Sequence, residues 1–221
     1  MQTYLQILGL LLLSLNGFSQ ENTPAPAQER PPFTLGILPL ALINPVQQSV
    51  SVQADIPLSS RWGVQAGIGW VFNSSSFAMH KGETYTGLKL KPAVKYYMKR
   101  SASGNSYISL VYKYNDLYNK NYINLLRQGG QYTEWSLQRK HIVTHGLSLQ
   151  LGAQEYFGKN KKWMIEPFLG FGLRQIRVAY DALPPDAELL EVERFFSIER
   201  TEGLYKLPDL VIGISLGLRL K

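Results

Sequence analysis

The chain contains no cysteine. Disulfides, thiolate metal sites and a lipid-modified N-terminal cysteine are thereby excluded. Histidine is nearly absent as well, with only His80, His141 and His145 among 221 residues. No HxxxH on a helix and no calcium-loop spacing occurs, so no metal site and no cofactor is expected. After the first twenty residues no apolar run is long enough for a membrane helix, and helical periodicity is scarce. A mean hydropathy of −0.12 is also too polar for a bundle of membrane helices.

What is present begins with an export pattern. Ile7 to Leu15 is almost wholly apolar, and the small residues Gly17 and Ser19 stand at the −3 and −1 positions of a cut before Gln20. The apolar stretch falls short of the ~20 residues that span a bilayer. Residues 1–19 are therefore expected to be a signal peptide, although MQTYLQ carries no Lys or Arg. Residues 20–32, with ENTPAPAQERPP at their end, are Pro-rich and polar and are expected to form a disordered leader. The formal charge of +7 lies wholly beyond the signal. An exported chain rarely meets nucleic acid, so phosphorylated lipid head groups are the expected acidic neighbours.

Alternation at period two recurs through residues 33–221, the pattern of strands with unlike faces. In the C-terminal segment Leu210, Ile212, Ile214, Leu216, Leu218 and Leu220 oppose Val211, Gly213, Ser215, Gly217 and Arg219. Similar segments lie around Val50–Ile56, Trp62–Phe72, Leu88–Met98, Ile108–Asn115, Gly146–Gln154 and Ile165–Arg174. Phe33–Ile43, apolar on both faces and interrupted by Pro39, makes the eighth.

The connections alternate in length. Leu58–Arg61, Lys99–Asn105 and Gly158–Lys162 are short, whereas Asn73–Thr84, Tyr118–Gln138 and Asp181–Leu207 are long; on the long side only Asn44–Pro45 is brief. Aromatic residues cluster near both sets of strand ends: Trp62, Tyr96, Tyr107, Tyr156, Phe157 and Trp163 at the short turns, and Trp70, Phe72, Tyr85, Tyr114 and Tyr180 at the long loops. A soluble barrel would alternate too. The Gly- and Ser-rich polar face, the short-long order and the paired aromatic girdles instead predict an eight-stranded antiparallel up-and-down transmembrane β-barrel, with both termini periplasmic.

On GVQAGIGWVF (Gly63–Phe72), IEPFLGFGLR (Ile165–Arg174) and VIGISLGLRL (Val211–Leu220), the chain resembles the small OmpA/OmpX-like outer-membrane barrels of Gram-negative bacteria. The resemblance runs from about Phe33 onward. It implies outer-membrane lipid and lipopolysaccharide as neighbours, an extracellular or envelope protein as a partner, and a monomer. The ending Arg219–Leu220–Lys221 departs from the terminal aromatic common in that group, and no peptidoglycan-binding domain is expected after the last strand.

Enzymatic barrels of this kind modify lipid A and need a nucleophilic Ser beside a His. His80 falls in a long loop. His141 and His145 share the parity of Leu147 and face outward, with Val143 and Leu147 where a Ser would be required, while Ser148 points inward. No catalytic residue is expected, and the chain reads as a non-enzyme. The loop from Asp181 to Lys206 carries Asp181, Asp186, Glu188, Glu191, Glu193, Glu199 and Glu202. A solvated loop explains these acids, and a divalent-bridged contact with lipopolysaccharide phosphates or a docking loop is the functional alternative.

The interior parity carries the main constellation: Lys89, Lys91, Lys95, Lys113, Arg174 and Arg219 with Asp55 and Glu166. Charges in a narrow interior are costly unless paired. A plug of Asp55, Lys95, Glu166 and Arg219 is expected in the periplasmic half, with Glu166 beside Arg219. Lys89, Lys91, Lys113 and Arg174 should leave the outer half basic and wetter. The expected function is structural or surface interaction through extracellular loops. A small anion channel is the first alternative, and a lipid A-modifying enzyme the second.

Overall fold

Alternating side chains become strand faces once each strand finds a neighbour on both edges. A computed structural model of the chain describes residues 32–42, 48–74, 84–100, 103–181, 184–189 and 202–220. The expected signal peptide, nearly all of the leader, His80, Glu191, Glu193 and Glu199 lie outside the described residues. The strands are β1 (Phe33–Ile37), β2 (Ser49–Pro57), β3 (Trp62–Ser74), β4 (Thr84–Arg100), β5 (Gly104–Arg127), β6 (Tyr132–Phe157), β7 (Trp163–Tyr180), β8 (Ala187–Leu189) and β9 (Gly203–Leu220). A four-residue helix α1 (Pro39–Leu42) follows β1.

Every pairing is antiparallel and, β8 aside, joins strands in chain order. The β1–β9 ladder, from Phe33↔Leu220 to Ile37↔Leu216, closes eight strands into a ring. The small strand β8 stands outside that ring and pairs with Leu125–Arg127 of β5.

Three expectations about element limits are corrected. The first strand stops at Ile37 and not at Ile43. Pro39 has no N–H for a ladder but suits the first turn of a helix, so the chain bends into α1 after Leu38 donates its last bond to the Ser51 carbonyl at 3.0 Å. The segment Tyr118–Gln138 is no loop. It extends β5 and β6 to 24 and 26 residues around a tight turn at Gln128–Gln131. Gln128, Gly129 and Gly130 there take φ of 51°, 66° and 90°, left-handed geometry that glycine adopts without Cβ strain. Finally, the region Asp181–Leu207 contains β8, and β9 begins at Gly203.

The two faces of the ring differ as the alternation requires. Leu147, Leu149, Leu151, Leu169, Phe171, Leu173, Leu210 and Ile212 are exposed on the outside. Inside lie Ser109, Ser148, Gln150, Gln154, Glu166 and Ser215, all buried. The apolar side chains of these strands thus face outward and the polar ones inward. Glycines on the inner face make room for rings from neighbouring strands. A Cβ at Gly152 would collide with the ring of its cross-strand partner Tyr107, and one at Gly213 with the ring of Phe168.

The aromatic residues named for the two girdles divide between the faces of the ring. Trp62, Phe157 and Trp163 are exposed at the short-turn ends, and Trp70 and Phe72 at the other. Tyr85, Tyr107 and Tyr156 instead point inward and are buried. Depth alone does not place a ring in a girdle, because strand parity decides which face it joins.

Candidate functional site

The interior is built in layers. Lys95 of β4 lies 2.9 Å from Asp55 of β2 and 2.5 Å from Glu166 of β7, and all three side chains are at most 3% exposed. Neutral donors complete the cluster. Gln53 donates to Glu166 at 2.7 Å and to Ser215 at 2.9 Å. Gln154 donates to Asp55 at 2.9 Å and to Glu166 at 3.2 Å, while Thr34 donates to Asp55 at 3.1 Å. Six strands of the ring are thus tied together through one ammonium group. The Tyr107 ring lies under the same ammonium, 4.3 Å from its centroid, a further attraction for a desolvated cation.

Arg219 does not join this cluster. Glu166 is in register with Ser215, four residues before Arg219 along β9, which separates the two by about 13 Å of strand. The Arg219 guanidinium lies instead over the Tyr156 ring, 5.5 Å from its centroid. The expected Glu166–Arg219 pair is therefore replaced by Glu166–Lys95.

Further along the interior, Lys113 meets Asp209 at 2.5 Å, and Arg174 approaches the other oxygen of Asp209 at 4.0 Å. Asp209 is the acid that the sequence reading missed. It shares the parity of Val211, Gly213 and Ser215, and extending that strand two residues backward would have found it. Between the two ion-paired layers lies a cavity of about 70 Å³, lined by Lys89, Lys91, Lys113, Gln65, Ser148 and Gln150 among others. Lys89 also reaches the Ser49 hydroxyl at 3.5 Å.

Beyond Asp209 an apolar layer crosses the interior, where a basic, wet outer half was expected. Val71, Tyr85, Leu117, Ile142, Ile176 and Val178 form a buried cluster, with Tyr180, Tyr205 and Leu207 packed on it. Each strand changes character within a few residues, since Leu117 follows Lys113, Ile176 follows Arg174, and Leu207 precedes Asp209. The interior thus reads, from the short-turn end, as ion cluster, cavity, second ion cluster and apolar layer, with Asn119 and Lys140 buried beyond it.

The outward histidines are placed as their parity implies. His141 contacts Asp116 at 2.6 Å and stacks on Tyr118 with centroids 4.5 Å apart. His145 meets the Tyr112 hydroxyl at 2.7 Å. Val143 and Leu147 flank them on the same face. Among the described residues no group of three His, Asp or Glu side chains could hold a metal ion.

On the extension of β5 and β6, Tyr122, Tyr132, Trp135 and Leu137 are exposed. The hairpin tip is fastened by Arg127, which reaches Glu134 at 2.6 Å and Asp186, just before β8, at 2.9 Å. No protein-family model, curated protein or solved structure matches the chain. The resemblance to OmpA/OmpX-like barrels therefore rests on the quoted residues alone.

Proposed function

We propose that the protein is an exported, eight-stranded outer-membrane β-barrel that acts without catalysis, by surface interaction. The observation that carries this reading is the polarity of the ring, apolar outside and hydrogen-bonded polar inside. An apolar belt of that extent is rare on soluble monomers, and a lipid phase is the environment that fits it.

The interacting part is the β5–β6 hairpin. A transmembrane strand needs about 9–11 residues, so strands of 24 and 26 residues project well past the bilayer. The exposed Tyr122, Trp135 and Leu137 offer a protein partner the aromatic and aliphatic anchors that interfaces favour. Orientation follows from the turns, where Arg61, Lys99, Arg100, Lys159, Lys161 and Lys162 suit anionic inner-leaflet head groups. Both termini are then periplasmic.

Fractionation tests the reading. The mature chain should begin near Gln20, sediment with outer membranes and migrate differently on gels before and after heating. A tag inserted at Gly129–Gly130 should be labelled on intact cells. Recovery in the soluble periplasm without detergent rejects the membrane reading, and labelling only after permeabilisation inverts the orientation.

A further inference from the structure

We propose that the interior cavity is a binding site for one small, free oxyanion of the phosphate or sulfate class. The inference depends on the closed ring and its interior side chains, and would hold wherever the protein resides.

The first observation is charge. Around and just beyond the cavity stand Lys89, Lys91, Lys113 and Arg174, against the single carboxylate of Asp209. The nearest other acids, Asp55 and Glu166, are already engaged by Lys95. The second observation is Lys91 itself. It lines the cavity, yet its ammonium has neither a hydrogen bond nor an ion pair among the described residues. Lys91 is only half-buried, so its ammonium is open to whatever occupies the cavity and is not already held by a carboxylate.

The third observation is the shape and chemistry of the space. A cavity of about 70 Å³ exceeds the ~10–15 Å³ that a single water requires, and Gln53 of the first ion-paired layer and Lys113 of the second both line it. Its donors come from several strands: Lys89 and Lys91 from β4, Lys113 from β5, Gln65 from β3, and Ser148 and Gln150 from β6. Donors converging from four strands match an acceptor with oxygens on several sides. Chloride would use fewer of them, and a head group attached to acyl chains would have to thread past one of the closing layers.

The test is calorimetric titration of the full chain in detergent, with folding verified by its unheated gel migration. Sodium phosphate and sodium chloride are compared at equal ionic strength, and a short-chain phosphatidic acid below its micelle concentration represents the lipid head group. Saturable one-to-one phosphate binding is expected. Lys91→Met should weaken it at least about tenfold, the loss of one charge-assisted hydrogen bond. Lys91→Arg should retain binding, and Lys120→Met, at an exposed position of β5, should leave it unchanged. Absence of saturable phosphate binding overturns the proposal. So do equal binding of chloride, preference for the phosphatidic acid, indifference to Lys91→Met, or an equal loss in Lys120→Met.

Discussion

Lys95 is held by two carboxylates and all three side chains are buried, so each of the three charges depends on the others. Removing one partner of such a buried set typically costs about 3–5 kcal/mol, mostly through the charges left behind. Glu166→Ala should therefore destabilise the protein by that order. Glu166→Gln should cost less, because an amide keeps the volume and can still accept from Gln53 or Gln154. Urea unfolding, read from the unheated gel band, gives both values, and an alanine variant as stable as wild type would deny the cluster a stabilising role. Parity in the sequence put Asp55, Lys95 and Glu166 on one face, but it could not say which base meets which acid. Pairing depends on register, and register is set by turns and bulges such as those between Val71 and Ser74 and between Tyr97 and Lys99.

Among the elements, the β5–β6 hairpin was least legible. Beyond Asp116 the sequence loses its run of apolar residues on alternate positions, and without that alternation the strand signal fades. The central strands were legible for the opposite reason. At the hairpin tip, the bond from Arg127 holds the Asp186 carboxyl below its ordinary value of 3.8. A folded value below the unfolded one means that the clasp contributes fully above the ordinary value and is lost as pH falls through the lowered one. Both side chains are exposed, so the contribution is small and screened by salt. Its effect should be local: amide exchange of Ala187–Leu189, corrected for intrinsic rates, should quicken at pH below 3.8 relative to pH 6. Asp186→Asn should show the acidic behaviour already at pH 6. Exchange at β8 that ignores both changes would mean that the ladder to Leu125–Arg127 holds without the clasp.

The whole molecule is closed twice over, by the Lys95 cluster and by the apolar layer around Leu117 and Ile142. An eight-stranded barrel has an interior just wide enough for side chains to fill. Wild type in planar bilayers should accordingly conduct little, and steady open conductance would favour the anion-channel reading. The sequence foretold the eight-stranded ring; of the expected plug, Asp55, Lys95 and Glu166 come together and Arg219 stands apart. It did not foretell the apolar layer, because Leu117 and Ile142 fall in stretches where no alternation was visible, and Val71 sits between two outward aromatics.

The ring closes over only five residues of β1, which pair with the last five of β9. Those segments stand at opposite ends of the described chain, so joining them costs roughly 3 kcal/mol more loop entropy than a four-residue turn. The longest detour in the chain is thus secured by a ladder of only five residue pairs. This seam should be the last to zip during folding and the first to part, setting the lifetime of the folded state more than its equilibrium stability. A disulfide across Leu35 and Leu218, outward neighbours in that ladder, can be introduced without competing thiols. It should slow unfolding in urea by far more than a bridge between two residues of the β5–β6 hairpin, and equal effects would place the point of opening elsewhere.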